Sequence, residues 1–215
     1  MMMAPEAVDY RINPDQRLIA GLSAVFAPGR TACLTGPSGA GKTTVLSLLG
    51  GIAVPQAGQV VHCGVAASAG DDAARRTWRT AMVGFVFQTC RLIGVLTVGE
   101  HMALVARLRR DAAAEAAGTA LAVAFGLGDK LDSRSGALSG GEKQRVALAL
   151  AQALAHRPAV VLADEPTAAL DSRNAAAVAA ALRDYARREG AIVVAVSHDA
   201  VVIDAADDVV MLRKA

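Results

Sequence analysis

The stretch GPSGAGKTT, residues 36–44, has the form G-x-x-x-x-G-K-[ST]. It follows a short apolar run, TACLT (31–35), and opens onto KTTVLSLLG, whose periodicity is helical. A strand, a glycine-rich loop and a helix, in that order, decide the fold class. Glycines let the backbone turn its N–H groups inward around phosphate oxygens, and the helix N-terminus adds partial positive charge. Gly36, Pro37, Ser38, Gly39, Ala40, Gly41, Lys42, Thr43 and Thr44 form the candidate nucleotide cradle. Lys42 is long enough to reach β- and γ-phosphates, and Thr43 offers a hydroxyl to Mg²⁺.

Working outward from the loop, short apolar runs alternate with longer helical ones. VGFVF (83–87), AVVLAD (159–164), AIVVAVS (191–197) and DVVML (208–212) read as strands. Residues 97–126 read as helical with a break near Asp111; residues 140–155 and 172–188 are helical too. Continuous apolar strands between helices predict an α/β fold with a mainly parallel sheet covered on both faces. Residues 1–30, with the segment around 58–65, predict an antiparallel β subdomain near the nucleotide. The chain reads as one domain: residues 1–88 and 137–215 form the core, and about 89–136 form a helical subdomain.

Two further motifs carry chemistry. In VVLADE, Asp164 ends a buried strand beside the expected phosphate loop, where it can hold Mg²⁺ through water. Glu165 follows directly and can polarise a water for in-line attack on a γ-phosphate. Without the upstream loop, the pair reads equally well as two solvated acids at a strand end. LSGGE (138–142) places Ser139, Gly140 and Gly141 just before a helix, a second anion-binding arrangement. Alone, it reads as a serine N-cap with a glycine turn. Beside a complete phosphate loop, the economical reading is that it serves the nucleotide of another subunit.

Bulk properties bound the remainder. The chain has 215 residues and 53% hydrophobic content, much of it alanine, with no uninterrupted apolar run of membrane-spanning length. Apolar excess on this scale predicts a surface that docks on a partner. A net charge of +2 gives no basis for nucleic-acid binding. Arginines 75/76/79, 107/109/110 and 183/187/188 lie in helix-like stretches with acids nearby and read as solvated faces. Three widely spaced cysteines, Cys33, Cys63 and Cys90, show neither metal-ligand spacing nor a disulfide framework, and Cys33 reads as a small core residue. MMMAPEAVDY lacks the pattern of a signal peptide.

These elements, in this order, closely resemble the ATP-binding subunits of ABC transporters, within the P-loop NTPases. The motifs are Walker A (GPSGAGKTT), the Q-loop (FVFQ, ending at Gln88), the signature (LSGGEKQR), Walker B (VVLADE), the D-loop (PTAALD) and the switch histidine, His198 in VSHD. The resemblance implies an ATPase using ATP and Mg²⁺. Thr43, Gln88 and Asp164 would lie at the metal, with Glu165, His198, Gln88 and Lys42 as the catalytic set. Gln88 would touch Mg²⁺ and the attacking water; His198 would contact the γ-phosphate. Tyr10 stands where the family often has an adenine-stacking aromatic. The resemblance further implies a homodimer closing two ATPs between Walker A of one chain and Ser139, Gly140, Gly141 and Glu142 of the other. Asp171 would cross that interface. Dimer motion would drive separate transmembrane permease subunits from the cytoplasmic face of the inner membrane.

LSLLGGIAVPQAG, FVFQTCRLIGVLTVGEHM and LADEPTAALDSRNA look like the lipoprotein-releasing and macrolide-exporting branch. The cell-division ATPase, which signals through a membrane partner without moving a substrate, is the alternative. A soluble ATPase of translation or DNA repair fits the single uninterrupted cassette poorly. The departures from the branch are Ala168-Ala169, Gly94, His101-Met102, Gln152 and Ser135. None removes a catalytic group, and several fall near the helical segment that would grip a permease.

Overall fold

The computed structural model describes residues 2–88, 92–138, 157–168 and 170–215. The predicted helix over 140–155, the signature residues Ser139, Gly140, Gly141 and Glu142, and Cys90, Gln152 and Ala169 lie outside the described residues. In chain order the strands are β1 (Met3–Asn13), β2 (Gln16–Leu22), β3 (Thr31–Thr35), β4 (Ala57–His62), β5 (Val65–Ala66), β6 (Val83–Val86), β7 (Val160–Asp164), β8 (Ile192–Val196) and β9 (Asp208–Met211). The described helices are α1 (Lys42–Leu49), α2 (Asp72–Met82), α3 (Val98–Arg109), α4 (Ala112–Ala124), α5 (Ser172–Glu189) and α6 (Ala200–Ala205).

Strands β6-β7-β8-β3-β9 form a sheet in which every neighbouring pair is parallel. Side chains alternate between its faces. On β8, Val193 and Ala195 join one apolar cluster with Val178, Leu182 and Tyr185 of α5. Ile192, Val194 and Val196 join another with Val45, Leu46 and Leu49 of α1. Both faces are therefore dry, which is why these strands read as unbroken apolar runs. The second cluster also takes in Met3, Val8, Ile19 and Val60 of the antiparallel sheet β2-β1-β4-β5, which the sequence predicts. Val98 and Met102 of α3 and Ala122 of α4 join the first cluster.

The local signals explain the helix ends. Thr97 and Glu100 form a complete capping box at α3, with bonds of 3.1 and 2.7 Å. Arg110 adopts a left-handed conformation and Asp111 caps α4, which makes the predicted break. Arginines of the predicted solvated faces meet acids: Arg76 pairs with Asp72 at 3.1 Å and Arg187 with Asp207 at 3.5 Å. Arg79 departs from that reading, since its guanidinium donates to the Gly51 carbonyl at 2.8 Å. No described helix is long and apolar enough to cross a membrane.

Candidate active site

A parallel sheet sends all its strand C-termini to one edge, and ligands of such sheets bind there. Leu34 of β3 and Asp164 of β7 both stand beside Val196 of β8. The Walker A loop, Glu165, His198 and Gln88 therefore leave the sheet at one level. They line a cleft of about 680 Å³.

The loop is built on close backbone approaches. Gly36 has φ +147°, and a Cβ there would lie 2.5 Å from the Leu212 carbonyl oxygen. Gly41, at φ +82°, precedes α1, and a Cβ there would strike Ile19 at 2.7 Å. Lys42 Nζ donates to the carbonyls of Gly36 (2.9 Å) and Pro37 (3.1 Å), so its ammonium lies across the mouth of its own loop. Gly36, Ser38, Gly39, Gly41, Lys42, Thr43 and Thr44 line the cleft. Pro37 and Ala40 do not: Pro37 acts through its carbonyl, and Ala40 is buried in the core.

Thr43 Oγ1 donates to Asp164 Oδ2 at 2.9 Å. Burial is the main force raising the Asp164 carboxyl above its usual range; Glu165 adds to it, while Thr43 and Lys42 oppose it. An anionic carboxylate buried this way is short of positive charge. A hydroxyl beside it makes the hard oxygen pair that suits Mg²⁺. Among the described residues no group of three His, Cys, Asp or Glu forms, so a cation here would complete its shell with phosphate and water oxygens.

Glu165 is 8% exposed and has φ +47°, a left-handed backbone that costs a non-glycine residue of order 1 kcal/mol or more. Its N–H donates to the Val196 carbonyl at 2.9 Å, and His198 Nδ1–H donates to its Oε1 at 2.8 Å. A second bond ties the same two loops: Thr167 Oγ1 donates to Asp199 Oδ2 at 3.0 Å. Strand β8 and its loop thus hold the strained turn in place. Sequence reading did not single out Thr167 or Asp199, because nothing in their spacing shows that they meet.

Tyr10, on β1, is partly buried against the core and is not among the residues lining the cleft. At that end the wall is Ile12, Gln16 and Leu18 of the β1–β2 hairpin. Asp171 caps α5, accepting from the Asn174 N–H at 2.9 Å. Cys33 is fully buried and its thiol is pushed up to about 11 by desolvation, as befits a core residue; Cys63 is exposed, and both are free.

The family described as ABC transporter matches residues 19–168, more than half the chain. The chain belongs to the ABC transporter family. Its relatives include the lipoprotein-releasing system ATP-binding protein LolD of Xanthomonas oryzae pv. oryzae, 40% identical over 83% of this chain and 73% of that protein. LolD of Myxococcus xanthus is 40% identical over 85% of this chain and 81% of its own length. The uncharacterized ABC transporter ATP-binding protein YbbA of Escherichia coli K12 matches at the same identity, over 85% and 80%. These relatives agree with the branch that the motifs resemble. Among solved structures, a dimeric post-hydrolysis ATP-binding cassette bound to ADP and Pi superposes with a TM-score of 0.85 at 28% identity, covering 98% of this chain and 94% of that one. That agreement settles the fold class as the α/β ABC cassette.

Proposed function

We propose that this chain is the ATP-hydrolysing subunit of an ABC transporter, pairing with a second copy and driving separate permease subunits. The carrying observation is the convergence of Lys42, the Thr43–Asp164 pair and the His198–Glu165 pair on one cleft. ATP would lie with its phosphates on the Walker A loop and its base toward Ile12 and Leu18, with Tyr10 behind that wall. Thr43, Asp164 and Gln88 would hold Mg²⁺, which would screen phosphate charge. Glu165 would take a proton from the attacking water, and His198 would hold that carboxylate in line. Lipoprotein release or efflux, at the cytoplasmic face of the membrane, is the branch reading. Signalling to a membrane partner, as in cell division, is the alternative.

Phosphate release from ATP and Mg²⁺ by the purified chain tests this. Turnover per chain should rise with chain concentration, because each site needs its partner. No hydrolysis at any concentration would refute the reading. Ser139→Arg should abolish hydrolysis while ATP affinity of the isolated chain stays within about twofold, since a bulky cation blocks only the across-dimer contact. A large loss of that affinity would contradict the pairing.

The permease has a fitting surface. A groove of about 430 Å³ is lined by Ile52, Arg79, Thr80, Val83, Phe85, Phe87 and Leu108. Phe85 and Phe87 stack at 4.4 Å, and Phe87 directly precedes Gln88. Leu108 is 72% exposed, a large apolar area to leave in water. We infer that a permease helix docks here. Leu108→Asp should leave basal ATPase activity within about twofold and abolish co-purification with the permease, since a buried unpaired charge is costly. Undiminished co-purification would exclude the groove.

A further inference from the structure

Three of the departures from the family pattern, Gly94, His101 and Ser135, are scattered in the sequence but meet in space. His101 is 4% exposed. The Ile93 N–H donates to its Nε2 at 3.1 Å, so Nε2 is unprotonated. The ring proton is then on Nδ1, which donates to the Thr97 carbonyl at 2.7 Å. Ser135, fully buried, donates its hydroxyl to the Ile93 carbonyl at 2.9 Å. Backbone bonds run alongside: Ser135 N–H to Leu96 O at 2.9 Å and Gly136 N–H to Gly94 O at 3.1 Å. The approach is tight at Gly136, where a Cβ would lie 3.0 Å from the Gly94 oxygen; a Cβ on Gly94 would meet the Gly136 Cα at an ordinary 3.9 Å.

Both backbone polar groups of Ile93 are thus gripped by buried side chains, one from α3 and one from the turn at Ser135–Ala137. Ile93 follows closely on Gln88, which lines the cleft. Leu138, at the end of that turn, immediately precedes Ser139. We propose that His101 and Ser135 form a clasp that makes the Ile93–Leu96 segment, downstream of Gln88, and the Ser135–Leu138 turn, upstream of the signature, move as one body. His101 is its positioning residue. The clasp rests on the ATPase reading and deepens it: a γ-phosphate met by Gln88 would set the position of Ser139 for the partner's ATP. The clasp does not touch the Walker A loop, so binding of ATP to one chain is independent of it.

The test compares His101→Leu, His101→Gln and Ser135→Ala in steady-state hydrolysis, and in ATP-dependent dimerisation on a Glu165→Gln background. Leucine keeps the volume and removes both hydrogen bonds; glutamine restores an acceptor toward the Ile93 N–H. His101→Leu should lower kcat and the dimer fraction about tenfold, with ATP affinity of the isolated chain within about twofold, and His101→Gln should recover most of the loss. Unchanged kcat and dimerisation in His101→Leu overturns the clasp, as does a glutamine variant no better than leucine. If His101→Leu fails to fold, Ser135→Ala decides: a several-fold fall in kcat at unchanged affinity supports the clasp, and wild-type kcat overturns it. A wild-type chain that neither hydrolyses ATP nor dimerises as Glu165→Gln overturns the ATPase reading itself, and the clasp with it.

Discussion

Glu165→Gln is expected to bind ATP like the wild type, to lose turnover by about 100-fold or more, and to accumulate as an ATP-bound dimer. The side chain is almost fully enclosed, and its backbone is held in a strained left-handed turn by Val196. Glutamine keeps the shape and can still accept from His198 through its amide oxygen, so the turn should persist. What it loses is the lone pair basic enough to take the water's proton. Phosphate-release kinetics and size-exclusion chromatography in ATP and Mg²⁺ measure both effects. Wild-type turnover in this variant would show that another group is the base.

Lys42→Ala is expected to weaken ATP binding about 100-fold, on the footing that two charge-assisted hydrogen bonds at about 1.5 kcal/mol each are lost. The ammonium donates to the Gly36 and Pro37 carbonyls, which aims it at the space the loop encloses. Phosphate oxygens can compete for those protons and bring the countercharge that two neutral carbonyls lack. Because Lys42 is the first residue of α1 and its bonds lie within the loop, the melting temperature should change little. Equilibrium titration with a fluorescent ATP analogue reads the affinity. A loss of threefold or less would remove Lys42 from the phosphate site.

Much of the cleft was legible in the chain because its chemistry is local. Gly36 to Thr44 must be contiguous to wrap a phosphate. Asp164 and Glu165 announce themselves as charges closing an apolar strand. Within that loop, however, Pro37 and Ala40 could not be sorted from their neighbours, because which side chain turns inward depends on φ and on what packs behind. Tyr10 illustrates the same limit. An aromatic at the expected distance from the loop was visible, but strand β1 has register shifts around it, and Ile12 lines the cleft instead.

The sequence by itself determined the elements and their chemistry: apolar runs long enough for buried strands, caps such as Thr97–Glu100, and motifs with only one family order. The motifs group Thr43 with Asp164 and Glu165 with His198 at one site, but tertiary structure alone decided which side chains bond directly. Thr43 with Asp164, Glu165 with His198, Thr167 with Asp199 and His101 with Ile93 are pairs set by strand order, parallel register and helix packing. The physical reason is that propensity and periodicity act over a few residues, whereas a hydrogen bond between loops exists only once the sheet has brought strand ends from across the chain to one edge.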